Sequence, residues 1–111
     1  MTPTEYQHLA MRTCSIPYDD AGAMLTHAVF GLASEAGEVA GIFQKSYQGH
    51  EIDPDHLKKE FGDCLWMIAE GCTAMGWDLG DVMMTNIEKL KDRYPDGFSS
   101  EKSLHRKDGD I

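Results

Sequence analysis

Two long stretches of helical periodicity, each carrying a pair of carboxylates three residues apart, constrain this chain most. From about Gly22 to Tyr47, Leu25, Ala28, Val29, Leu32, Ala36, Val39, Ala40 and Phe43 recur at the i, i+3, i+4, i+7 spacing of one helix face. From Pro54 to Met75, Leu57, Phe61, Cys64, Leu65, Ile68, Cys72 and Met75 do the same. Glu35 and Glu38 flank the first stripe, and Glu60 and Asp63 flank the second. Side chains three apart on a helix share a face. Packing the two stripes together as an antiparallel hairpin is expected to set both acidic flanks along one groove.

Four carboxylates gathered in one place repel strongly unless a counter-charge joins them. An all-oxygen donor set favours a hard divalent cation such as magnesium, manganese or calcium. A single acidic pair on a helix is ordinarily a solvated face. Two matched pairs beside two apolar seams point to a metal site, with Glu35, Glu38, Glu60 and Asp63 as the candidate ligands.

The remaining segments also read as helix. Thr2 is placed as an N-cap, Pro3 at the first helical position and Glu5 as the capping-box partner of a short helix ending near Arg12. Asp53-Pro54 opens the third helix and Gly76 closes it. Asp78 caps a last helix from Leu79 to Tyr94, which Pro95 stops. The chain beyond is polar and aperiodic. The expected organisation is one all-α domain over residues 1–98 and a polar tail over 99–111.

At 111 residues the chain is long enough for one core. Its formal net charge of −9 argues against a nucleic-acid backbone as partner. No run approaches the roughly 20 apolar residues of a membrane span, and the N-terminus lacks signal-peptide character. Cys14, Cys64 and Cys72 are odd in number and form no zinc-ligand spacing. They read as reduced core thiols of a cytoplasmic protein.

Several single residues invite two readings each. Lys89 and Arg93 share a face of the last helix, with Asn86, Lys91 and Tyr94 beside them. Two cations near a carboxylate-held metal would suit phosphate oxygens, yet cations also decorate helix C-termini for the dipole alone. Trp66 lies opposite the stripe of its helix, at a subunit interface or against a ligand. His27 shares the acidic flank with Gly31, Ile42 and Lys45, either lining the pocket or serving as a hydrogen-bonded structural histidine. Glu5-Tyr-Gln-His8 has the ExxH form of di-iron bundles, but those need two such motifs and no second one occurs.

Three blocks in order carry a family resemblance. They are Gly31-Leu-Ala-Ser-Glu35-Ala-Gly-Glu38-Val-Ala, then Glu60-Phe-Gly-Asp63-Cys-Leu-Trp66, then Asn86-Ile-Glu-Lys89-Leu-Lys-Asp-Arg93-Tyr94-Pro95-Asp-Gly97-Phe98. Over about residues 25–98 the chain resembles the MazG-like all-α nucleoside triphosphate pyrophosphohydrolases, the short single-domain bacterial and phage type. The resemblance implies a four-helix-type bundle that forms a homodimer or homotetramer. It implies magnesium, replaceable by manganese, on the positions matching Glu35, Glu38, Glu60 and Asp63. The implied reaction converts a nucleoside triphosphate to monophosphate and pyrophosphate, clearing unwanted nucleotides.

Within that chemistry, Glu38, with Glu35 beside it, is the expected catalytic carboxylate, positioning or deprotonating the attacking water. Lys45, Lys89 and Arg93 are expected to receive the leaving pyrophosphate, and Asn86, Tyr94 and His27 to touch the rest of the substrate. Two departures from the family pattern stand out. Ser34 occupies a position where many members carry a further Glu, and Lys59 one where some do, which leaves the metal count open. Ser34 also sustains a rival expectation, a catalytically silent metal- or nucleotide-binding bundle with a partner's role.

Overall fold

Thr2 Oγ1 accepts the Glu5 backbone N–H and Pro3 occupies the first turn, so α1 (Pro3–Met11) begins where the capping signal put it. The computed structural model describes all 111 residues. Asp20 caps α2 (Ala21–Ser46) through the Ala23 N–H, and Asp53 caps α3 (Pro54–Met75) through the Asp55 N–H. Gly76 ends α3 in the left-handed region at φ 71°, which an L side chain enters only with strain. α4 spans Leu79–Arg93 and α5 spans Ser100–Leu104. The only extended pairing is an isolated bridge between Pro95 and Gly97. The protein is all-α, and no helix is long and apolar enough to cross a membrane.

The chain divides into two compact units, Met1–Leu79 and Gly80–Ile111. In the first, α2 and α3 form an antiparallel hairpin. His27 meets Glu70, Gly31 meets Met67 and Glu35 meets Glu60 along it. α1 lies along α3, where the Gln7 amide donates to Thr73 Oγ1 at 3.1 Å and to the Trp77 carbonyl at 2.9 Å. Gln7 Oε1 in turn accepts the Leu79 N–H at 2.8 Å. The buried amide of Gln7 is thereby satisfied at both ends. Ala10, Met11, Met24 and Ala69 form the core cluster.

The helix faces do not meet as the stripes suggest. The seam on α2 runs through Met24, Ala28, Gly31 and Glu35, roughly a quarter turn from the centre of its apolar stripe. Val29 and Phe43 on α2, with Phe61 and Leu65 on α3, stay exposed in the single chain. Glu35 and Glu60 therefore lie in the seam, Asp63 sits at its exposed edge, and Glu38 stays outside it. Small residues explain the rotation, because Gly31 lets Met67 of α3 approach to where a Cβ would sit.

Trp66 is also placed differently from its expected position at a subunit interface or a ligand. Its indole N–H donates to the Ala10 carbonyl at 2.9 Å and to Thr13 Oγ1 at 3.0 Å, and its ring packs on the core. It fastens α1 to α3. The three cysteines are free thiols.

In the second unit, the segment read as an aperiodic tail contains α5, capped by Ser99 through the Lys102 N–H. Asp110 then accepts two hydrogen bonds from the Arg93 guanidinium, at 2.7 and 2.8 Å. A residue near the chain end thus closes on the end of α4. Lone aspartates carry no sequence signal for such a return.

Candidate metal centre

α2 and α3 bring Glu35, Glu60 and Asp63 together, with one carboxylate oxygen from each inside 4.8 Å of the others. The geometry follows from helix periodicity, because Glu60 and Asp63 are one turn apart on α3 and Glu35 faces both across the seam. Burial raises the Glu35 pKa above the ordinary carboxylate range, and repulsion from Asp63, Glu60 and Glu38 adds to it. Glu60 Oε1 accepts a hydrogen bond from His56 Nε2 at 3.1 Å. Glu60 Oε2 is buried and no N–H or hydroxyl reaches it; the Glu35 carboxyl hydrogen-bonds Glu60 only while it carries a proton, a further cause of its raised pKa. A buried carboxylate oxygen that loses this donor when Glu35 ionises is costly, and a hard divalent cation would satisfy it. The donor set is all oxygen and fits magnesium or manganese.

Glu38 stands one turn beyond Glu35, exposed and outside the close trio. It lines a neighbouring cavity of about 250 Å³ with Lys45, His50, Asp53 and His56. Lys45 therefore shares a wall with Glu38. A larger cavity, about 470 Å³, lies beside α1 between His8, Tyr18 and Trp77, and holds none of the paired carboxylates.

His27 donates from Nδ1 to Glu70 Oε1, and Glu70 has no solvent exposure. The Cys14 thiol donates to the other oxygen at 3.5 Å. Half of the His27 side chain remains exposed, and Trp66 meets its ring edge-on. Glu70 escaped sequence reasoning because it reads as one more acid on a helix. Of its buried neighbours Ala69 and Cys72, only Cys72 belonged to the apolar stripe, so nothing local marked Glu70 as buried.

Asn86, Lys89, Arg93 and Tyr94 belong to the second unit. Asn86 and Lys89 are exposed. Arg93 is engaged by Asp110, its side chain largely shielded. The Tyr94 ring packs against Phe98, and its hydroxyl pKa is lowered, first by a hydrogen bond with Ser103.

With that geometry in place, the comparisons with known proteins converge. The family model described as the MazG nucleotide pyrophosphohydrolase domain matches residues 25–98, which include both carboxylate pairs. The chain is also similar to the Gene 37 protein of Mycobacterium phage L5. The two are 30% identical over 78 residues, covering 66% of this chain and 68% of that protein. No solved structure matches the chain.

Proposed function

Because the chain belongs to the MazG nucleotide pyrophosphohydrolase family, we propose that it hydrolyses nucleoside or deoxynucleoside triphosphates to monophosphate and pyrophosphate in a magnesium-dependent reaction. The observation that carries this reading is the trio Glu35, Glu60 and Asp63, drawn from two helices to within 4.8 Å. These three, with Glu38, are the residues that would hold the metal. Bound there, magnesium or manganese supplies charge neutralisation for the triphosphate and the transition state. An acidic groove on a chain of net charge −9 needs that neutralisation before it accepts an anion.

Glu38 positions or deprotonates the attacking water, with Glu35 beside it. Lys45, on the wall that Glu38 also lines, faces the departing pyrophosphate. Asn86, Lys89, Arg93, Tyr94 and His27 are the further candidates for substrate contact, and each is tested singly through KM. For Arg93 this requires release from Asp110 or action through it.

The protein would act in the cytoplasm on the nucleotide pool, as a homodimer or homotetramer. The exposed Val29, Phe43, Phe61 and Leu65 support self-association, since an apolar face of this kind is normally buried against a partner.

A second reading, a silent metal- or nucleotide-binding bundle, is favoured by Ser34, which stands where many members carry a Glu. Pyrophosphate release from a panel of ribo- and deoxyribonucleoside triphosphates, with magnesium and with chelator, separates the two. Magnesium-dependent pyrophosphate plus monophosphate supports the enzyme. Release of inorganic phosphate contradicts it. No product from a magnesium-stabilised protein supports the silent bundle.

A further inference from the structure

We propose that His56 is a positioning residue for the metal centre, holding Glu60 in the acidic trio by a hydrogen bond to one oxygen so that the other is left for the cation. The inference rests on the reading of Glu35, Glu60 and Asp63 as a metal site.

Glu60 has three rotatable side-chain bonds, and two like charges stand beside it. Left alone, its carboxylate gains by swinging away from them. His56 lies four residues earlier on α3, on the same face and one turn towards the N-terminus. Its Nε2–H donates to Glu60 Oε1 at 3.1 Å. Glu60 is mostly buried while His56 is about half exposed, so the imidazole reaches in from the rim. Glu60 Oε2 is then the buried oxygen that no N–H or hydroxyl reaches. One oxygen anchored and one unsatisfied is the arrangement expected of a carboxylate ligand with an outer-shell donor. The neutral imidazole suffices, provided Nε2 carries the proton. His56 also lines the cavity that holds Glu38 and Lys45, so this ring touches both the trio and its neighbouring wall.

An ordinary exposed i,i+4 pair predicts something else. It would change helix stability slightly and leave metal affinity alone. Calorimetric titration of Mn²⁺ and of Mg²⁺ into the chelator-treated full chain distinguishes the two. The proteins compared are wild type, His56→Ala, His56→Gln and Glu60→Gln, each checked for helicity.

The wild type is expected to bind, and Glu60→Gln to lose binding. His56→Ala should bind about 10–100-fold more weakly, the usual cost of losing an outer-shell partner. His56→Gln keeps an N–H donor and should recover most of that loss. Equal affinity of wild type and His56→Ala would overturn the role of His56 and leave the metal site standing. No binding by the wild type would overturn the metal site itself, and His56's role with it.

Discussion

His27 closes on Glu70 from α2 to α3, and the carboxylate it meets has no solvent exposure. A fully buried carboxylate is tolerated only with partners on its oxygens, and here the imidazole and the Cys14 thiol provide them. Removing one partner of such a pair costs more than removing both, because a stranded charge remains. His27→Ala should therefore lower stability in urea unfolding, by less than the roughly 3–5 kcal/mol of a fully buried pair because half of the imidazole is exposed. His27→Ala combined with Glu70→Gln should cost less than His27→Ala alone. The reverse order would overturn the pairing with His27 as the reason Glu70 is tolerated in the core.

Gly31 predicts a change of sign. A Cβ there would lie 2.7 Å from Met67 Cε and 3.2 Å from Cγ, so the thioether must move. Overpacking costs about 1–3 kcal/mol, while Ala for Gly in a helix returns about 1 kcal/mol. Gly31→Ala should therefore lower stability in the native background. In a Met67→Ala background the clash is gone, and the same substitution should raise it. Thermal unfolding of the four proteins decides.

The crowded trio predicts an unusual pH dependence. Glu35 titrates above its ordinary value of 4.5, so the folded chain holds a proton that the unfolded chain has already released. Stability should then fall as pH rises through and above that ordinary value, in chelator. Magnesium should restore it near neutral pH, by about 2.7 kcal/mol at a hundredfold excess over Kd. Glu35→Gln should flatten the pH profile in chelator and abolish both the magnesium effect and turnover. A melting temperature that responds to magnesium equally in Glu35→Gln would remove Glu35 from the metal centre.

Arg93 and Asp110 predict the opposite sign. The guanidinium holds the Asp110 carboxyl below its usual value of 3.8. The clasp is fully present above that value and is lost as pH falls through the lower folded one. Hydrogen exchange in the second unit should quicken in that acid window for the wild type. Asp110→Asn should show the quicker exchange already at neutral pH.

The open apolar face predicts association. Leu65→Glu should shift sedimentation towards monomer while leaving helicity intact. An unchanged sedimentation coefficient would place any interface elsewhere.

Local order in this protein was legible residue by residue. Thr2-Pro3, Asp53-Pro54 and Gly76 mark helix ends because capping and backbone freedom act within a few residues. The carboxylate spacing put Glu60 and Asp63 on one face, and the three sequence blocks already pointed to the family. What periodicity left open was the rotation of each helix about its own axis. The apolar stripes seemed to define the seam, yet Gly31, Ala28 and Gly71 let the backbones approach elsewhere. The closer approach turned Glu35 and Glu60 inward and left Val29, Phe43, Phe61 and Leu65 of the stripes outward. The Glu70–His27 pair, the His56 anchor on Glu60 and the return of Asp110 to Arg93 were settled by tertiary structure alone. Capping and helical spacing are short-range physics carried by neighbouring residues, whereas close packing and the pairing of buried charge depend on which distant side chains arrive, and only the folded chain decides that.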